Sequence, residues 1–155
     1  MQIRGKPLGE ARSVTIEVHH GMIGQVGQGQ GDDDLIIAPG FIDLQVNGVG
    51  GLNVNGNKVT PEIIANIPGK LHPSGTTRFC PTIITGPQEQ MTRSLTAIRE
   101  ACQDSRVDGA ILGIHLEGPY ISSDDGPRGA HMLQYVRDPD WDEFCRYQEA
   151  AEGRI

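Results

Sequence analysis

Ile114-His115-Leu116-Glu117-Gly118-Pro119-Tyr120-Ile121-Ser122 follows the apolar run Ala110-Ile111-Leu112-Gly113. The run predicts a buried strand over 110–116, which Gly118-Pro119 stops. His115 and Glu117 are two residues apart, so both side chains fall on one face at the strand's carboxyl end. A carboxylate among apolar neighbours costs several kcal/mol, roughly, unless it is paired or holds a cation. Spacing alone weighs a salt bridge from Glu117 to an arginine such as Arg128 about equally with a metal. For His115, a core histidine bonded to backbone outweighs a ligand.

Outward from this stretch, the chain has a rhythm. Val14, Ile16 and Val18 alternate with polar residues as in a half-buried strand, and His20-Gly21 turns into a second strand over 22–26. Residues 27–34, "GQGQGDDD", read as a polar loop. After Pro39-Gly40, Phe41 to Val46 forms the next strand, and a Gly/Asn-rich stretch follows. Thr60-Pro61-Glu62 is a helix start with a hydroxyl cap, an early proline and an acid in the first turn. Ile63, Ile64, Ile67 and Leu71 give it an apolar face, which Pro68-Gly69 breaks or kinks. Thr76 to Thr85 is β-branched and strand-like. Pro87 opens a helix with Met91, Leu95, Ile98 and Cys102 on one stripe. Asp138-Pro139 repeats the cap signal before a helix whose shared face is Trp141, Phe144, Cys145 and Gln148.

The order is a small β-rich start over 1–38, then alternating strands and helices over 39–155. Alternation of this kind predicts an α/β fold with right-handed crossovers and a parallel sheet. Ligands bind beyond the carboxyl ends of such strands. Gln45 and Asn47 end one strand as His115 and Glu117 end another, so two strands aim polar groups at one end of the sheet.

Composition excludes several classes. The chain has 155 residues, 37% hydrophobic and 21% charged, as in ordinary globular proteins. Thirteen basic residues against twenty acidic ones give a net charge of −7, which argues against a nucleic-acid partner. No apolar run reaches membrane-spanning length and the start lacks the apolar core of a signal peptide, so a cytoplasmic protein without a membrane partner is expected. Cys80, Cys102 and Cys145 are too few and too scattered for a disulfide framework or zinc knuckle. A His-x-Glu pair also opens the zinc deaminase signature, but no Pro-Cys-x-x-Cys follows. The glycine-rich stretch fails both nucleotide patterns: Asn53 replaces a required glycine, and Asn57 stands where a P-loop lysine belongs. Tight turns explain it better.

"APGFIDLQVNGVGG" (38–51) together with "HLEGPYIS" (115–122) and Gly129-Ala130-His131 resembles the N-acetylglucosamine-6-phosphate deacetylases of the amidohydrolase superfamily. The resemblance implies a (β/α)8 barrel with a small β-sandwich domain built partly from the chain's start. It implies hydrolysis of the acetamide of N-acetylglucosamine-6-phosphate to glucosamine-6-phosphate and acetate, in a homodimer. By the same resemblance Glu117 is the metal-binding glutamate, and Ala130 and His131 contact the substrate sugar. Gln45 and Asn47 fall where most amidohydrolases carry His-x-His, and His115 has a supporting role. Amide side chains are weaker ligands than imidazole, which suits a single Zn²⁺ or Fe²⁺ ion. The general acid/base aspartate and two metal histidines of the family are expected beyond Ile155, so the chain by itself is expected to be inactive. A complete barrel takes about 250 residues. Two alternatives remain: a non-catalytic amino-sugar-binding fragment, and another amidohydrolase-type hydrolase.

Overall fold

The computed structural model describes residues 1–29, 35–107 and 109–155; of the polar loop expected over 27–34, residues 30–34 lie outside the described residues, and Gly27 and Gln28 belong to a strand. The chain divides into two units, Met1–Pro39 and Gly40–Ile155.

The first unit is all β. β1 (Gln2–Pro7) pairs antiparallel with β2 (Val14–His19), and β2 with β3 (Met22–Gln28). The two-residue turn His20-Gly21 joins β2 to β3 as the sequence predicts, with φ of 51° and 77°. The short β4 (Ile36–Ile37) adds parallel to β1, giving the order β3-β2-β1-β4. β1 was not anticipated, because Gly5 and Pro7 stand where an alternating strand would place apolar side chains.

The second unit is α/β. β5 (Phe41–Val46) leads into a small hairpin of β6 (Gly48–Val49) and β7 (Leu52–Asn53). Gly50 and Gly51 make its turn at φ of 56° and 84°, where glycine avoids the penalty of a Cβ. The tight-turn reading of this stretch holds. α1 (Pro61–Ala65) starts at Thr60, whose hydroxyl accepts from the Ile63 N–H at 3.3 Å. The helix stops at Asn66 and resumes as α2 (Ile67–Leu71), so the expected break falls just before Pro68. β8 (Thr76–Ile83) and α3 (Gln88–Ala101) follow as predicted.

β8 lies in the middle of a three-stranded parallel sheet, between β5 and β9 (His115–Leu116). The expected strand over 110–116 is therefore much shorter. Its first part touches β8 only through a bridge between Phe79 and Ile111. Between the two contacts the Ile114 N–H turns away to the Arg154 carbonyl at 2.7 Å, which breaks the ladder.

α4 (Trp141–Ala150) begins at Asp140, whose carboxylate accepts from the Glu143 N–H. Asp138-Pro139 is thus not the cap. Nor is the expected face the inner one: Trp141 is 74% exposed and Cys145 is exposed, whereas Glu143, Tyr147 and Ala151 are buried. The predicted stripe followed hydrophobicity, and the helix instead turned inward a carboxylate that finds partners.

The buried apolar cluster is drawn entirely from residues 46–151. Ile64, Ile67, Phe79, Ile83, Met91, Leu95, Ile98 and Tyr147 are at its centre. All three cysteines are free. Among the described residues, no helix is long and apolar enough to cross a membrane.

Candidate active site

At the carboxyl end of the parallel sheet a cavity of about 240 Å³ is lined by Gln45, Asn47, Ile84, Thr85, Glu117, Ala130, His131 and Met132. Every residue assigned from sequence to substrate or metal is in that lining. Gln45 comes from the end of β5 and Asn47 from the residue after it, Glu117 from the residue after β9, and Ala130-His131 from the loop before α4. A larger groove of about 580 Å³ between the start of α1 and α3 holds none of them.

The local geometry follows from the sequence. The Glu117 N–H donates to the Ile83 carbonyl at 3.0 Å, so pairing with β8 runs one residue past β9. Gly118 comes next because nothing larger fits: a Cβ there would overlap the Thr85 hydroxyl and stand 2.9 Å from the Thr85 nitrogen. Glu117 is not paired with Arg128. Arg128 binds the Asp125 carboxylate and donates to the His131 carbonyl at 2.8 Å. The ionisable neighbour of Glu117 is His131, with Nε2 3.5 Å from Oε1. The side chains of Glu117 and His131 keep 28% and 17% of their exposure, so both remain reachable from the cavity.

His115 is placed differently. Its Nδ1 lies 3.3 Å from the Thr82 hydroxyl, and it lines a second hollow, shared with Glu117, beside Ile114, Tyr120 and Phe144. It fastens β9 to β8, in keeping with a supporting part.

The loop carrying His131 is anchored by a buried charge. Glu143, 5% exposed, receives two bonds from Arg137, at 2.7 and 2.9 Å. The Tyr120 and Tyr147 hydroxyls donate to the same carboxylate at 2.8 and 3.1 Å. The Arg137 guanidinium, then the two hydroxyls, hold its carboxyl below the usual range against the opposing effect of burial. Burial, then the Glu143 charge, pushes the Tyr147 hydroxyl up to about 12. Sequence reasoning missed this cluster, because a glutamate and an arginine near a helix start look like solvated charges. It also missed Thr85, although a polar residue closing an apolar strand was a signal.

A divalent ion needs about three protein ligands. Glu117 offers a carboxylate to the cavity, and Gln45 and Asn47 offer weak amide oxygens. Among the described residues, no group of three His, Cys, Asp or Glu could hold a metal ion. A complete ligand set is therefore not formed by these residues.

No protein-family model matches the chain. It is 39% identical over 109 residues to N-acetylglucosamine-6-phosphate deacetylase from Danio rerio, covering 68% of this chain and 26% of that one. With the enzyme of the same name from Bacillus subtilis it shares 33% identity over 130 residues, 81% of this chain and 32% of that one. Among solved structures, a mutant N-acetyl-D-glucosamine-6-phosphate deacetylase from Mycobacterium smegmatis, in complex with N-acetyl-D-glucosamine-6-phosphate, superposes with a TM-score of 0.78 at 28% identity. That match covers all of this chain and 42% of the other. The chain thus spans between a quarter and a third of the length of these curated relatives. By sequence and by fold alike, it is homologous to N-acetylglucosamine-6-phosphate deacetylases, of which it spans a part.

Proposed function

We propose that the chain supplies the first β/α units of a (β/α)8-barrel deacetylase, with Met1–Pro39 contributing to its β-sandwich domain. The reaction is hydrolysis of the acetamide of N-acetylglucosamine-6-phosphate to glucosamine-6-phosphate and acetate, carried out by a cytoplasmic homodimer. The observation that carries this reading is the convergence of Gln45, Asn47, Glu117, Ala130 and His131 on one cavity at the carboxyl end of the sheet.

The chain's own contribution is binding and orientation. His131 presents a ring nitrogen to the cavity, where it bonds a sugar hydroxyl or the acetyl oxygen. Ala130 leaves room beside it for the sugar. Gln45 and Asn47 each bring both a donor and an acceptor, which suits the amide of the substrate. Glu117 is the ligand this chain offers to a Zn²⁺ or Fe²⁺ ion. The chemistry such an ion supplies when bound is Lewis-acid polarisation of the acetyl carbonyl and activation of water.

One observation favours a second reading. Without a group of three strong ligands among the described residues, residues 1–155 alone suit binding of the amino sugar without turnover. Acetate release by the purified chain with Zn²⁺, measured beside calorimetric titration with N-acetylglucosamine-6-phosphate, tests both. The expected result is saturable binding with no measurable turnover. Turnover near that of a full-length relative would show that the site is complete within these residues, and no binding would overturn the assignment of the cavity.

A further inference from the structure

The end of β8 is held by a side chain where a strand would be expected. β5 and β8 last pair at Val46 and Pro81. Beyond that point the Asn55 amide takes over: Nδ2 donates to the Thr82 carbonyl at 2.8 Å, and the Ile84 N–H donates to Oδ1 at 3.0 Å. A primary amide carries the donor and acceptor of a peptide unit, and residues i and i+2 are those a parallel neighbour would engage. Asn55 thus stands in for one residue of a neighbouring strand. On the opposite edge the Glu117 N–H holds the Ile83 carbonyl.

Thr85 comes directly after this clamp. It is 4% exposed, and its hydroxyl lies 2.9 Å from His131 Nδ1. The other ring nitrogen faces Glu117. A carboxylate, when ionised, can only accept, which favours the proton on Nε2. A neutral ring with its proton on Nε2 leaves the Nδ1 lone pair to accept from the Thr85 hydroxyl.

We propose that Thr85, held in place by Asn55, is a positioning residue that fixes His131 in the tautomer protonated on Nε2, the ring nitrogen nearer Glu117 and the cavity both residues line. The proposal rests on the reading of His131 and Glu117 as the working pair of the cavity. Its consequence is that the cavity meets a ligand with a ring hydrogen-bond donor already aimed, which saves the cost of ordering it on binding.

The test is long-range ¹H–¹⁵N NMR of the His131 ring in the 155-residue chain, at a pH where the ring is neutral. The wild type should show one tautomer, protonated on Nε2. Thr85→Val removes the donor at nearly constant shape, and the two ring nitrogen shifts should move toward each other as both tautomers populate. Thr85→Ser should restore the wild-type pattern. Asn55→Ala should speed solvent exchange of the Ile84 amide at least tenfold and move the ring shifts in the same direction as Thr85→Val. A wild-type ring protonated on Nδ1, or unchanged ring shifts in folded Thr85→Val, would overturn the proposal. Should Thr85→Val not fold, unchanged ring shifts in Asn55→Ala would overturn it equally. Titration of the same samples with N-acetylglucosamine-6-phosphate separates the two levels. A chain that holds the tautomer but binds no sugar phosphate upholds the positioning and sinks the reading of the site.

Discussion

Arg137→Leu lowers the stability of the second unit by about 3–5 kcal/mol, the cost of leaving a buried carboxylate without its cation. Glu143 is 5% exposed and Arg137 is its only charged bonding partner among the described residues. The Tyr120 and Tyr147 hydroxyls remain, but two neutral donors do not replace a bidentate guanidinium. Adding Glu143→Gln to Arg137→Leu removes the stranded charge and should recover a large part of the loss. Urea unfolding of the three proteins measures both effects. A loss below about 1 kcal/mol for Arg137→Leu, the range of an exposed ion pair, would show that the cluster does not anchor the loop. The same cluster sets a pH dependence. Glu143 has its folded pKa depressed, so its stabilising effect is complete above the unfolded value, about 4.3, and is lost as pH falls through the folded one. Tyr147 is raised, so its effect is complete below about 10 and disappears as pH rises toward about 12. Arg137→Leu should flatten the acid limb of this profile.

Gly118→Ala is the second large effect. The added methyl would overlap the Thr85 hydroxyl and press on its backbone, 2.9 Å from the nitrogen and 3.0 Å from the Cα. Thr85 is clamped by Asn55 through the preceding residue, so it cannot retreat cheaply. Overpacking of this kind costs about 1–3 kcal/mol. The more specific consequence is at the cavity: with β8 and the residue after β9 pushed apart, the Thr85–His131 bond and the His131–Glu117 approach both lengthen. Binding of N-acetylglucosamine-6-phosphate should fall at least tenfold in protein that is still folded. Unchanged binding would show that the junction of the two strand ends does not shape the site.

Much of the site was legible because strand ends advertise themselves. Gln45, Asn47 and Glu117 are polar residues closing apolar runs, and residue parity put them on the inner side of one sheet end. The family motifs added Ala130 and His131, which no periodicity could have placed, since their loop is fixed by Glu143 and Arg137 rather than by local pattern. The strand over 110–116 was over-read: its apolar run is real, but the Ile114 N–H bonds to Arg154 instead of β8. The α4 face was misjudged for a related reason. Hydropathy ranks Trp141 above Glu143, yet the glutamate is buried because four bonds from three side chains satisfy it. Tertiary partners of this kind are absent from any single segment. Asn55 was hidden in the same way, as one more polar residue in a glycine-rich turn.

The central claim is that Gln45, Asn47, Glu117, Ala130 and His131 form one ligand site. Chemical-shift mapping of the ¹⁵N-labelled chain during titration with N-acetylglucosamine-6-phosphate in the presence of Zn²⁺ tests it most directly. The account predicts saturable shifts centred on these five residues and on Thr85, with the groove between α1 and α3 unmoved. Shifts centred on that groove, or none that saturate, would contradict it.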